Sequence, residues 1–235
     1  MNVGILLTSN DSSQFARRFP NDGEKFADLL RPIRPQWDYH VYHAIDGILP
    51  ASPQAHDGYI ITGSPASIHD GHSWIAQLFE FVGKVIRLRI PLIGACFGHQ
   101  AVAHVLGATV GKNPQGWIVG TAQTQFEPQG WMQPRCSVLT LFAAHKEQVL
   151  TLPDEAVCIG KSSGVPYAAF LIGDHIMTTQ YHPEMPHKFM VELIDEMGDE
   201  LTNEQANLAR QQISGGAQGP LFGQWMVQFL EMKRV

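Results

Sequence analysis

Pro91-Leu92-Ile93-Gly94-Ala95-Cys96-Phe97-Gly98-His99-Gln100 is the stretch that decides how this chain folds. An apolar run, residues 91–95, leads into a cysteine with a glycine two residues away on either side. A helical stretch, residues 100–106, follows, with Gly107 placed as its C-cap. Glycines at those two positions permit a tight strand-to-helix turn, because a Cβ there would collide with neighbouring backbone. The turn projects side chain 96 above a sheet and beside a helix N-terminus, where the dipole and free N–H groups favour an anion. Cys96 is therefore a candidate nucleophile, and the Phe97 N–H a candidate donor to an oxyanion. Cys136 and Cys158 have no such surroundings and read as structural.

Strand and helix alternate on the upstream side. Residues 3–7, 39–44 and 58–62 read as strands, and residues 24–30 as a helix closed by Pro32. Residues 73–89 set Trp74, Ile75, Leu78, Phe79, Val82, Val85 and Ile86 on one helical face, which Pro91 stops. This alternation predicts an α/β fold with a mostly parallel central sheet and helices on both faces. Downstream, residues 116–126, 137–142, 156–160 and 168–180 read as strands joined by polar turns, the last holding a hairpin at Gly173-Asp174. They predict a small antiparallel region. Residues 188–197 and 221–232 read as helices, and residues 214–220 as a loop. With no internal repeat and no linker, residues 1–235 are expected to form one domain, its C-terminal helices, about 186–235, packed on it. Homodimerisation or partner docking through residues 221–232 is the lesser alternative to that packing.

Composition narrows the function. With 235 residues, 44% hydrophobic and 16% charged, the chain can bury a substantial core. A formal charge of −6 and the lack of a dense Lys/Arg cluster argue against nucleic acid as the partner. The opening MNVGILL has a short apolar run and no positive region, so a buried strand is expected there, not a signal peptide or membrane span. Three scattered cysteines form no CxxC pair or disulfide framework, which predicts a reducing, cytoplasmic setting. His40/His43 and His69/His72 have HxxH spacing but no third ligand, so no metal is expected, and thiol chemistry calls for no cofactor.

A thiol nucleophile needs a base, and the base a group that orients it. Gln180-Tyr181-His182-Pro183-Glu184 follows the strand-like residues 176–180. On an extended backbone residues two apart share a face, so Glu184 can hold the His182 imidazole, and Pro183 stiffens the link. His99 is expected to pack near the turn.

GACFGHQ and YHPE together resemble the catalytic motifs of the class I, or triad, glutamine amidotransferases, with Cys96, His182 and Glu184 in the triad positions. Residues 61–67, ITGSPAS, are similar to that family's Gly-Pro loop, which implies an oxyanion-hole N–H at Ser64, with Gly63 beside it. The resemblance covers about residues 3–187 and implies a flavodoxin-like fold. It further implies substrate contacts at Gln100, at Gly116 and Trp117, and in the loop holding Ala144 and His145. From residue type alone Gln100 also suits a helix surface, Trp117 suits core, and Lys146-Glu147 suits a solvated turn. Ala144 stands where some members carry Asn or Ser, and Lys146 where some carry Gly.

The expected function is hydrolysis of the γ-amide of glutamine through a γ-glutamyl thioester on Cys96, releasing ammonia. A separate synthetase or acceptor protein would then use the ammonia. The alternatives are a γ-glutamyl peptidase acting on γ-glutamyl conjugates and a non-catalytic binding module. The intact Cys96, His182 and Glu184 set speaks against the last.

Overall fold

Residues 1–9, 11 and 13–232 are described in a computed structural model. Strand β1 (Asn2–Leu7) precedes helix α1 (Asp22–Leu30), whose start is fixed by a capping box between Asn21 and Glu24. Next come β2 (Asp38–His43), β3 (Gly58–Ile61) and α2 (Ser73–Arg87), which buries Trp74, Ile75, Leu78, Phe81, Val82 and Val85 along one face. Strand β4 (Leu92–Ala95) runs through Cys96 directly into α3 (Phe97–Val105), so the helix starts three residues earlier than its apolar pattern suggests.

A strand-rich segment follows: β5 (Val110–Lys112), β6 (Ile118–Phe126), β7 (Val138–His145), β8 (Glu147–Val149), β9 (Ala156–Ser162), β10 (Val165–Ile172) and β11 (Ile176–Thr179). Gly173, with φ +51°, sits in the turn of the expected β10–β11 hairpin. Helices α4 (His187–Glu196), α5 (Asn203–Ile213) and α6 (Gly219–Glu231) complete the chain. The sequence reading did not identify β5, β8 or α5. The two strands are three residues long, and α5 buries only Ala206, Ala209 and Ile213. Its signal was local: Thr202 and Gln205 form a capping box.

Among the described residues, one sheet has the order β2-β1-β3-β4-β11-β10-β9-β6-β7, and β5 pairs with β8 in another. Strands β2, β1, β3, β4 and β11 run parallel. Beyond β11 every neighbouring pair is antiparallel. The expected antiparallel region thus continues the main sheet. It also bends round: Phe142 of the outermost strand β7 forms an isolated bridge with His182, just past the central strand β11. The His182 N–H donates to the Phe142 carbonyl at 2.9 Å.

Helices α2 and α3 cover one face through Tyr59, Ile61, Leu92, Phe97 and Val102. Helices α1 and α6 cover the other through Ile5, Phe26, Leu30, Phe222 and Trp225, each such burial contributing about 1.5–3 kcal/mol. Residues 221–232 therefore pack on the domain. Among the described residues no helix is long and apolar enough to cross a membrane. Ile61 pairs with Gly94, and Ala95 with Thr179, so β3, β4 and β11 end level with one another. The segments after them emerge side by side at the carboxyl edge of the parallel strands, where open α/β sheets bind ligands.

Candidate active site

Cys96 lies at φ 49° and ψ −103°, a left-handed backbone that non-glycine residues rarely adopt, and it is the pivot between β4 and α3. Its N–H donates to the Thr179 carbonyl at 2.9 Å, which ties the turn to β11. The flanking glycines are required by close approach. A Cβ on Gly94 would stand 2.6 Å from the Gly98 carbonyl carbon and oxygen, and one on Gly98 would stand 2.5 Å from the Ile61 oxygen. Phe97 opens α3, so its N–H belongs to the first turn, which has no intrahelical acceptors.

His182 and Glu184 are buried, and Nδ1 of the imidazole is 2.8 Å from Glu184 Oε1. Among the described residues Nε2 has no hydrogen bond of ordinary geometry, and neither has Glu184 Oε2. Burial by itself would lower the His182 pKa. The Glu184 carboxylate and the charge on the Cys96 sulfur outweigh it and raise the pKa well above its usual 6.5. The ring and the thiol are thus electrostatic neighbours. A Cβ on Gly63 would stand 2.7 Å from His182 Cε1 and 3.6 Å from Cys96 Cβ, which locates Gly63 between them.

The Gly63 loop is held from β1. Thr8 Oγ1 donates to the Gly63 carbonyl at 2.9 Å and lies 3.0 Å from Thr62 Oγ1. Ser64 Oγ accepts from the Ala66 N–H at 3.1 Å, and Ser67 Oγ donates to Glu147 Oε2 at 2.7 Å, joining the loop to β8. His145 Nδ1 is 3.0 Å from the Glu147 carbonyl, and Nε2, buried, has no hydrogen-bond partner among the described residues. Burial pushes the His145 pKa down to about 4, which the Glu147 bond opposes and the neighbouring His182 reinforces. His99, bonded to Thr178 at 2.8 Å, is pushed by burial to about 3. The positive charge of the cluster therefore belongs to His182.

A cleft of about 520 Å³ opens over the sulfur. Gly63, Ser64, Cys96, Gln100, Trp117, Ala144, His145 and His182 all line it. Glu184 stands behind His182, and Phe97 is buried beneath the turn. Gly116 is not brought to the cleft; it lies in a turn at φ 77° with open space where a Cβ would be. Ala144 and His145 are not in a loop: they pair with Val119 and Ile118 as the end of β7, and Glu147 starts β8. Lys146 alone bridges the two strands, its ammonium 5.0 Å from the centre of the Trp117 ring and 3.7 Å from Glu200. Away from Cys96 the cleft runs past Phe189, Leu193 and Met197. Cys136 and Cys158 are free and outside it.

Gln180 has a place here that the sequence reading did not assign. It is fully buried, and its Nε2 donates to Cys96 Sγ at 3.7 Å. The alternation that put His182 and Glu184 on one face reaches back one step to Gln180, and that was the available signal.

A doubly wound sheet whose inner strand β4 ends in a strained cysteine turn, beside a His–Glu pair, defines the α/β proteins built on a nucleophile elbow. Within that class the chain belongs to the glutamine amidotransferase class-I family, which its residues 37–194 match. Gamma-glutamyl peptidase 3 of Arabidopsis thaliana is 30% identical over 201 residues, spanning 81% of this chain and 80% of that protein. The GMP synthase (glutamine-hydrolyzing) of Aeropyrum pernix is 29% identical over 144 residues, 61% of this chain and 27% of that one. The crystal structure of a glutamine amidotransferase from Thermotoga maritima has the same fold, with a TM-score of 0.77 over 97% of this chain and 95% of that one at 18% identity.

Proposed function

We propose that this protein hydrolyses γ-glutamyl amide bonds through a thioester on Cys96, and that its substrates are γ-glutamyl conjugates larger than glutamine. The observation that carries this reading is the cleft. Its 520 Å³ falls in the range, about 300–1,000 Å³, of pockets that enclose drug-sized ligands, and its lining extends beyond Cys96 and His182 to the apolar side chains of α4. The stretch past Phe189, Leu193 and Met197 gives room for the amine side of the scissile bond. The likeness to gamma-glutamyl peptidase 3 over 81% of the chain supports the same choice.

In this mechanism the Cys96 thiolate attacks the γ-carbonyl carbon, and the C=O electron pair moves onto oxygen. The N–H groups of Phe97 and Ser64, with Gly63 beside them, receive that oxyanion, a donor of this kind being worth about 2.7–4 kcal/mol. The tetrahedral intermediate collapses, the C–N bond breaks, and imidazolium His182 gives its proton to the leaving nitrogen. Water, deprotonated by His182, attacks the thioester. The C–S bond breaks, glutamate leaves and the thiolate returns. Glu184 holds the imidazole in place and balances its charge throughout. Hydrolysis of glutamine itself, with ammonia passed to another protein, is the second reading, favoured by the likeness to a GMP synthase.

Ammonia release from glutamine and amine release from γ-glutamyl dipeptides, measured on wild type and Cys96→Ala, test both readings. Faster turnover of the dipeptides, with loss of about 10⁴-fold or more in Cys96→Ala, is expected. Preference for glutamine selects the second reading, and equal activity in Cys96→Ala overturns the mechanism.

A further inference from the structure

Gln180 occupies the centre of an unbroken polar chain that ends on the sulfur. Its Nε2 donates to Cys96 Sγ at 3.7 Å, and its Oε1 accepts from Gln100 Nε2 at 3.3 Å. Gln100 Nε2 also donates to the Glu147 carbonyl at 2.7 Å. The direction of the chain follows from its chemistry. A backbone carbonyl can only accept, so Gln100 must present its NH2 group to Glu147. That same NH2 group needs an acceptor in Gln180, which leaves the Gln180 NH2 group for the sulfur.

The geometry points to Gln180 as a positioning residue for the nucleophile: its amide N–H holds the Cys96 sulfur as a thiolate, and Gln100 fixes the orientation of that amide. The inference rests on Cys96 being the reactive group of the proposed function. A hydrogen bond to an anion is stronger than one to a neutral acceptor. Gln180 therefore stabilises the thiolate more than the thioester, in which the sulfur is neutral. It helps most when the thioester breaks, as the C–S bonding pair returns to sulfur and meets a donor already in place. Because Gln100 also lines the cleft, a substrate that disturbs Gln100 is felt at the sulfur through one intervening amide.

Among the described residues, the titratable groups near this chain include His182 and Glu184 beyond β11, Tyr181 next to Gln180, His145 on β7, Glu147 on β8 and His99 on α3, and Asp11, Asp22, Lys146, Glu196 and Glu200 line the same cleft. All of them stay in place when Gln180 is changed, so an altered pH response reads on the amide. The test is the rate of Cys96 alkylation by iodoacetamide between about pH 5 and 9, followed on the Cys96 peptide by mass spectrometry. Gln180→Leu and Gln180→Met remove the donor and keep the bulk. Each is expected to move the acid limb of the profile up by about one pH unit, a roughly tenfold slower reaction on that limb. Gln180→Glu, equal in size but of like charge, is expected to move it further, and Gln100→Leu in the same direction by less. An unmoved limb in a folded Leu or Met variant overturns the inference. If neither folds, an unmoved limb in Gln100→Leu does so. No substrate enters the assay, so a wrong substrate assignment and a wrong role for Gln180 give different results.

Discussion

Glu184→Gln keeps the shape of the His182 partner and removes its charge. Glu184 Oε1 accepts from Nδ1 at 2.8 Å, and an amide oxygen can accept the same hydrogen, so ring orientation and tautomer are retained. What is lost is the difference between a hydrogen bond to a charged group, about 1.5–3 kcal/mol, and a neutral one, about 0.5–1.5 kcal/mol. That difference of about 1–1.5 kcal/mol corresponds to about one pH unit, and the wider effect of a close opposite charge extends it to about two. His182 is raised above 6.5 because Glu184 and Cys96 overcome its burial, so the variant shifts it down. The alkaline limb of the kcat/KM profile reports loss of the His182 proton and is expected to move to lower pH by about one to two units.

Stability follows the same linkage. A raised imidazole pKa contributes stability that is fully present below about 6.5 and is lost as pH rises through the folded value. The stability gap between wild type and variant is therefore widest from just above the carboxylate range to about pH 6.5, and it narrows at alkaline pH. The new NH2 group falls where Oε2 has no partner among the described residues, adding a buried unsatisfied donor at about 1–3 kcal/mol. A pH series of kcat/KM and of urea midpoints checks both parts. An alkaline limb that stays in place while activity falls evenly at every pH refutes the electrostatic role.

Gly98→Ala would force a Cβ against the Ile61 carbonyl, which cannot move without shifting the end of β3. A loss of about 1–3 kcal/mol in denaturant titration is expected, with kcat/KM falling further than stability because the Gly63 loop shifts as well; wild-type values for both refute the packing argument. Thr202→Ala removes the capping box of α5 and is expected to cost about 0.5–2 kcal/mol in urea unfolding while leaving thiol alkylation unchanged.

The parts of the fold and site readable in the sequence were those written in local pattern. Glycine spacing around Cys96 specified the turn, because only a missing Cβ tolerates contacts of 2.5–2.6 Å to backbone. Alternation placed His182 and Glu184 on one face, and the 3.6-residue period marked α2. Pairing between distant strands leaves no such mark. Nothing in residues 165–172 states that β10 joins the antiparallel strands to the parallel ones, and three-residue strands such as β5 and β8 are too short for a period. Gly116 shows the same boundary: the cleft takes Trp117 and leaves its neighbour in a turn outside, and adjacency in sequence does not record that choice.

The bridge from Phe142 to His182 has a consequence for the whole molecule. With β7 clasped to the chain beyond β11, one margin of the sheet is shut against recruitment of a foreign strand, and β2 remains as the open margin. The clasp is made by the backbone of His182 itself, whose imidazole lies beside the Cys96 turn. Peeling β7 away would free the His182 backbone and would also strip Leu139, Leu141 and Ala143 from the apolar layer beneath α1 and α6. The position of His182 and the integrity of the core are thus coupled at this rim, where a backbone hydrogen bond of 2.9 Å joins the two.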